Sequence, residues 1–110
     1  MDLKDCLKKM ENAGRLTHVK TPVDAVHELS GVCAKLDGGK ALVFDRVKGY
    51  DYPVTTGMWW NRQNAAALFD RPVDQLSGLF AEAVASLRQN PVAPVIVEGA
   101  PAQAVWMPKP

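Results

Sequence analysis

Residues 22–44 read PVDAVHELSGVCAKLDGGKALVF, and this stretch decides the class of fold. Its apolar residues recur at spacings of three and four, which predicts a helix that begins at Pro22-Val23-Asp24 with Asp24 as its cap. Asp37-Gly38-Gly39 ends this helix. The apolar run Ala41–Phe44 is typical of a buried strand because turn residues bound it. A helix that leads directly into a buried strand indicates helices packed on a sheet.

The residues upstream show the same order of helix and strand. The sequence predicts a first helix that Asp2 caps and Gly14 ends, with one apolar face. That face consists of Leu3, Cys6, Leu7, Met10 and Ala13. A short strand is predicted at Leu16–Val19.

The downstream residues add a hairpin, two helices and a proline-rich tail. Residues 54–58 are predicted to pair with Ala41–Phe44 across a turn, and residues 61–69 to form a helix. A last helix is predicted to bury one apolar face, made of Val73, Leu76, Phe80, Val84 and Leu87. The tail is expected to hold one or two edge strands, at residues 95–97 and 105–107. The predicted class is α+β, a small mixed sheet with about four helices packed on it.

Length and composition exclude several classes of protein. The 110 residues fit one domain, and 47% hydrophobic with 23% charged residues is ordinary for a globular chain. The net charge of +1 provides no polybasic surface, which argues against nucleic-acid binding. The sequence contains neither an apolar run of ~18 residues nor a signal peptide, so we expect a cytoplasmic protein without a membrane span.

Few side chains are candidates for chemistry. Cys6 and Cys33 fall on apolar helix faces, where buried free thiols are expected rather than a disulfide or a zinc site. His18 lies on a predicted strand, and His27 and Glu28 are neighbours on a predicted helix. Because adjacent helical positions diverge by about 100°, we expect structural or solvent-facing roles for them. A small enzyme that uses His27 and Glu28 stays an alternative function, in addition to the two functions given at the end of this subsection.

The segment Trp59-Trp60-Asn61-Arg62 stands at a strand-to-helix junction and supplies the interface candidates. Trp59, Trp60 and Arg62 belong to residue types that are favoured as interface anchors. Two interpretations stay open: a binding edge, or one buried and one partly exposed ring that close the core. Trp106 is a further interface candidate, because the proline-rich tail around it needs something to pack against.

The order of short motifs along the chain resembles the N-terminal region of the UbiD family of decarboxylases. The first of them are Asp2-Leu3, Gly14, Leu16, Pro22-Val23-Asp24, Glu28, Ala41–Phe44, Val47-Lys48-Gly49 and Pro53-Val54. The likeness continues with Gly57 and Arg62, Pro94-Val95-Ile96-Val97 and Ala100-Pro101. One departure is Met58-Trp59-Trp60-Asn61, which stands where the family has an Asn-Leu-Phe-Gly-type segment.

The resemblance implies a setting for this chain. Members of the family use prenylated FMN, with Mn²⁺ and K⁺ at its phosphate, to remove or add a carboxylate on aromatic or unsaturated acids. The family's flavin-binding core, metal ligands and catalytic residues correspond to sequence beyond Pro110, so no catalytic, cofactor-binding or metal-binding residue is assigned here. Residues 1–100 are expected to form the N-terminal α+β domain. Residues 101–110 are expected to be a proline-rich tail or linker toward the flavin-binding core.

Two functions follow from these patterns. The first is the N-terminal, non-catalytic domain of a UbiD-like decarboxylase, which packs against the flavin-binding domain and is inactive alone. It is expected to be excised from a longer enzyme, with a naturally split small subunit as the alternative. The alternative is a free-standing interaction subunit that docks on a partner through Trp59, Trp60 and Trp106. A homo-oligomer stays open under either function. In both cases exposed apolar surface near these tryptophans would mark the face that a partner covers.

Overall fold

A computed structural model describes residues 2–101, which form four α-helices and a three-stranded sheet. The helices are α1 (Leu3–Asn12), α2 (Glu28–Leu36), α3 (Arg62–Phe69) and α4 (Leu76–Gln89), and a 3-10 turn at Val73–Gln75 leads into α4. The strands are β1 (Leu16–Val19), β2 (Ala41–Phe44) and β3 (Val54–Thr56). The predicted α+β class is confirmed.

The sheet is mixed, with the strand order β1-β2-β3. β1 lies parallel to β2, from the pair Leu16 and Ala41 to the pair Val19 and Phe44, so α2 is the crossover between them. β3 returns antiparallel to β2 as the predicted hairpin. An isolated parallel bridge between Val23 and Val47 continues the pairing beyond both strands. This bridge fixes the start of the long loop between β2 and β3 against the chain that precedes α2.

The core is built around β2, whose four residues are all buried. Leu42 and Phe44 lie on one face of the strand, in a cluster with Val23 and Val47. Half-buried side chains from α2 and neighbouring elements pack against that cluster: Val19, Leu29, Val32, Cys33, Val54 and Trp60. Ala41 lies in a second buried cluster, with Met10 of α1 and Leu68 of α3. A strand buried on both faces explains why its sequence is continuously apolar.

The helix α2 begins at Glu28 with His27 at its cap position, three residues later than the predicted cap Asp24. The bridge between Val23 and Val47 holds this part of the chain extended, so it cannot be helical there. Asp24 instead accepts a hydrogen bond from the Val26 amide at 2.8 Å and donates its own amide to the Glu28 carboxylate at 2.7 Å. These two bonds organise the turn that enters α2.

The end of β3 and the burial of the two cysteines also differ from the predictions. β3 stops at Thr56, because Gly57 turns the chain with a φ of +86°. Cys6 and Cys33 are free, as expected, but half-buried rather than buried. Desolvation still raises the pKa of the Cys33 thiol.

The described chain divides into two compact units, one that ends at Leu79 and one that begins at Phe80. The predicted core face of the last helix is only partly buried. Leu76 is buried, whereas Phe80, Val84 and Leu87 are 45%, 53% and 59% exposed. Periodicity identified the apolar side of the helix, but it does not say which element covers that side.

The predicted strand at residues 95–97 does not form within the described part of the chain. A strand requires a neighbouring strand for its backbone hydrogen bonds, and none of the described strands pairs with it. The other predicted tail strand, at residues 105–107, lies outside the described residues.

His18 of β1 connects α1 to the loop that follows β2. Its Nδ1 lies 2.9 Å from Oδ1 of Asp45, and its Nε2 lies 3.5 Å from Oε1 of Glu11. The hydrogen bond to Asp45, together with the attraction of both carboxylates, raises the pKa of His18 above its ordinary value of 6.5. Partial desolvation opposes this rise without cancelling it.

We expect the stabilisation by His18 to depend on pH. A pKa raised by folding stabilises the folded state fully below pH ~6.5, and this stabilisation is lost as the pH rises through the folded-state pKa. The difference in melting temperature between the wild type and His18→Gln should therefore be larger at pH ~5.5 than at pH ~8.5. Asp45→Asn removes the main cause of the raised pKa of His18. In a protein that carries Asp45→Asn, the change in melting temperature caused by His18→Gln should therefore depend less on pH. An equal difference at both pH values would contradict this assignment.

Candidate functional site

The predicted interface segment occupies the turn between β3 and α3. Asn61 caps α3, since its Oδ1 accepts a hydrogen bond from the Asn64 amide at 2.8 Å. Trp59 and Trp60 precede this cap, and Arg62 is the first residue of the helix. The structure thus brings three of the four interface candidates together on one turn. Trp106, the fourth, lies outside the described residues.

Trp60 is half-buried and belongs to the packing around β2. Its six-membered ring lies directly over Gly57, where an added Cβ would come within 2.7 Å of the ring carbon Cε3. Gly57 also has a φ of +86°, a conformation that side chains disfavour. This position therefore requires glycine both for its backbone angle and for the space that Trp60 occupies.

Trp59 is an exposed aromatic side chain, with 64% of its surface accessible. Its ring lies 5.9 Å from the ring of Phe69, measured between centroids, at a tilt of 49°. Arg62 is exposed as well. One tryptophan packs against the core and the other lies on the surface, which is the division that the core-closing interpretation describes. The exposed ring remains available as an anchor, so the interface role of the segment stays a prediction.

A buried polar network holds this turn in place, and sequence reasoning missed it. Asn64 has no exposed surface. Its Nδ2 donates to the carbonyl oxygens of Gly39 at 3.0 Å and Gly57 at 2.8 Å, and its Oδ1 accepts from Nε of Arg15 at 2.9 Å. All of its hydrogen-bonding groups have partners, which is the condition for burying an amide side chain.

Asn61 extends the network to the turn that precedes β2. Its Nδ2 donates to the carbonyl oxygens of Gly38 at 2.7 Å and Gly39 at 2.9 Å. Its Oδ1 also lies 3.4 Å from Nη2 of Arg15. The start of α3 is thereby tied to the end of the α2 connection and to the residue before β1. The signal in the sequence is Asn-x-x-Asn, with Asn64 four residues before buried Leu68 and so on the same helix face.

His27 and Glu28 stand at the start of α2 and have separate tasks. His27 is an exposed residue at the N-terminal boundary of the helix with a φ of +72°. Glu28 accepts the backbone amide of Asp24, which makes it part of the turn. His18, the other histidine, contacts Asp45 and Glu11. These contacts agree with the structural and solvent-facing roles expected for the three residues.

A metal centre requires several ligating side chains that lie close together. Residues 2–101 contain no group of three or more His, Cys, Asp or Glu side chains that could hold a metal ion. An open hollow of about 420 Å³ beside α1 is lined by the apolar side chains of Leu7, Leu16 and Val43 together with Lys4, Lys8, Glu11 and His18. The described side chains do not fit a metal centre, and no catalytic step is assigned to them.

None of the helices between residues 2 and 101 combines the length and the apolar character needed to cross a bilayer.

Comparison with known proteins defines the class of the chain. The family model of the 3-octaprenyl-4-hydroxybenzoate carboxy-lyase N-terminal domain matches residues 7–84. This range includes the three strands, α2, α3 and the turn that carries Trp59. The chain therefore belongs to the UbiD family through the N-terminal domain of these carboxy-lyases.

Individual relatives show the same relationship. An uncharacterized protein in the cooM 5'region of Rhodospirillum rubrum is 38% identical over 101 residues, which cover 91% of this chain and 22% of that protein. The UbiD-class enzyme HmfF from Pelotomaculum thermopropionicum, in complex with FMN, is 37% identical with a TM-score of 0.69. An evolved dimeric form of HmfF in complex with prFMN gives the same two values. The match covers 83% of this chain and 20% of the HmfF chain, so the chain spans about a fifth of these relatives.

Gly57→Ala should destabilise the domain. The positive φ disfavours a side chain, and the new Cβ would clash with Trp60, so we expect a loss of about 1–3 kcal/mol in the free energy of unfolding. Urea denaturation measures it. The matched control is Gly31→Ala in α2, where an added Cβ meets nothing within 4 Å. Alanine there should stabilise the protein by about 0.4–1 kcal/mol. Equal effects of the two substitutions would contradict the packing of Trp60 over Gly57.

Asn64→Ala should be more damaging than any exposed substitution on α3. It removes the donor to the carbonyl oxygens of Gly39 and Gly57 and the acceptor for Nε of Arg15, so we expect a loss of about 2–4 kcal/mol in the free energy of unfolding. Gln63→Ala, at the neighbouring exposed position of the same helix, should change it by less than about 0.5 kcal/mol. Thermal melts of the wild type, Asn64→Ala and Gln63→Ala test the network. A similar stability of the two variants would refute it.

Proposed function

We propose that this chain is the N-terminal, non-catalytic domain of a UbiD-like decarboxylase that acts on an aromatic or unsaturated carboxylic acid. The proposal is carried by the likeness to HmfF, a UbiD-class enzyme solved with FMN and with prFMN. The likeness extends along about a fifth of the HmfF chain. In this proposal the remaining four-fifths of such an enzyme supply the flavin site. Prenylated FMN would serve there as the electron sink for breaking the bond to the carboxyl group, with Mn²⁺ and K⁺ at its phosphate.

The contribution of this chain is then shape and burial. Its fold presents apolar surface that its own described residues leave exposed. Trp59 is the most prominent aromatic case in the first compact unit, and Arg62 lies beside it on the same turn. Phe80, Val84 and Leu87 form an exposed apolar stripe along α4. Such surfaces are typical of faces that another domain covers, which supports packing against the flavin-binding domain.

The exposed Trp59 also suits the alternative function, a free-standing interaction subunit. Under that function Trp59 and Trp60, with Trp106, would dock on a separate partner rather than on a flavin domain of the same enzyme. The two functions differ in one measurable respect. Only an N-terminal domain of this family should replace the corresponding part of a UbiD-class enzyme.

The test uses a chimaera, defined as HmfF in which the matched fifth is replaced by this chain. We expect the chimaera to purify with FMN bound, measured by absorbance and fluorescence, while the 110-residue chain alone does not retain FMN or prenylated FMN supplied with Mn²⁺. Native HmfF is the control for flavin content. A chimaera that folds but holds no FMN would contradict the domain assignment. Tight flavin binding by the chain alone would contradict the non-catalytic role.

A further inference from the structure

Residues 95–97 form an exposed apolar segment in the second compact unit. Val95, Ile96 and Val97 are 88%, 91% and 62% exposed, although all three are β-branched. β-branched residues favour strands, and their side chains contribute to stability only when they pack. No strand of the described chain pairs with this segment. It has the composition of a buried strand without the neighbours of one.

The alternation of side chains specifies the surroundings that this segment fits. In an extended chain Val95 and Val97 point to one side and Ile96 to the other. Both sides are therefore apolar, as in β2, which is buried on both faces. Pro94 before the segment and Pro101 after it limit how far a ladder of hydrogen bonds can extend. The pattern fits a short strand whose two faces are both covered.

Its position relative to the family match indicates where the neighbours come from. The N-terminal domain model ends at residue 84, before the segment. The similarity to the Rhodospirillum rubrum protein covers 91% of the 110 residues, which leaves only about ten unmatched, so it includes residues 95–97 wherever it begins. That protein is several times longer than this chain, which covers 22% of it. The segment is thus shared with a longer relative but lies beyond the residues that the N-terminal domain model matches.

We propose that residues 95–97 form a β-strand that adds to a sheet in the remaining part of a UbiD-class enzyme. This inference rests on the proposed function and deepens it, since it names the mode of attachment. Backbone hydrogen bonds would supply the affinity, and the apolar side chains on both faces would be covered by the partner. A second copy of this chain is the competing occupant, which the experiment separates.

The experiment is a proline scan, because proline removes the amide that a strand donates. Amides of neighbouring residues in a strand point to opposite edges, so Ile96→Pro and Val97→Pro each test one edge. In the chimaera at least one of them should lower FMN occupancy and melting temperature. Val92→Pro is the matched control, because Val92 is 83% exposed and lies before the predicted strand. It should leave the chimaera unchanged. None of the three should alter the melting temperature of the 110-residue chain.

Hydrogen exchange supplies the second readout. At least one of the amides of residues 96 and 97 should exchange at least about 100-fold more slowly in the chimaera than in the isolated chain. A wild-type chimaera that holds FMN, with no effect of Ile96→Pro or Val97→Pro and no protection, would overturn the strand while the proposed function stands. A wild-type chimaera without FMN would overturn both. Protection of the two amides in a dimer of the isolated chain, lost in Ile96→Pro, would show a second copy as the partner and overturn this inference.

Discussion

The burial of β2 on both faces is the constraint on which the rest of the first compact unit depends. Because Leu42 and Phe44 lie on one face and Ala41 on the other, the strand needs apolar partners on both sides. The parallel pairing with β1 supplies α2 as a crossover, whose side chains cover the first face. α1 and α3 contribute Met10 and Leu68 to the second face. A small sheet can thus bury its middle strand completely with short helices.

The polar network of Asn61 and Asn64 follows from this arrangement. α3 packs beside the second buried cluster, and its first turn meets carbonyl oxygens at the ends of two connections, at Gly39 and Gly57. Buried carbonyl groups need donors, and the two asparagine amides provide them. The same bonds hold the turn on which Trp60 points into the core and Trp59 lies on the surface. The position of the exposed ring therefore depends on buried hydrogen bonds as well as on its contact with Phe69.

Local patterns predicted what depends on local chemistry. β1 and β2 have the predicted bounds, and Asp2 caps α1 as expected, because runs of apolar residues and capping side chains act within a few positions. The start of α2 was misplaced because a bridge to Val47, far along the chain, keeps Val23 extended. The network of Asn64 was missed for the same reason, since Arg15 is 49 residues away. The apolar stripe on α4 was predicted correctly, but its burial was not, because burial depends on a contacting element that the spacing of residues within one helix does not specify.

One group of the motifs that carry the family resemblance has a structural explanation. Pro22-Val23-Asp24 and Glu28 form the entry to α2, where Val23 bridges to Val47 and Glu28 accepts the Asp24 amide. Each of these contacts fixes the backbone of this chain, and none of them places a group for reaction with a substrate. A match in this region therefore reports on fold and ancestry. Attachment to further protein can be argued instead from the apolar side chains that the described residues leave exposed, such as Trp59.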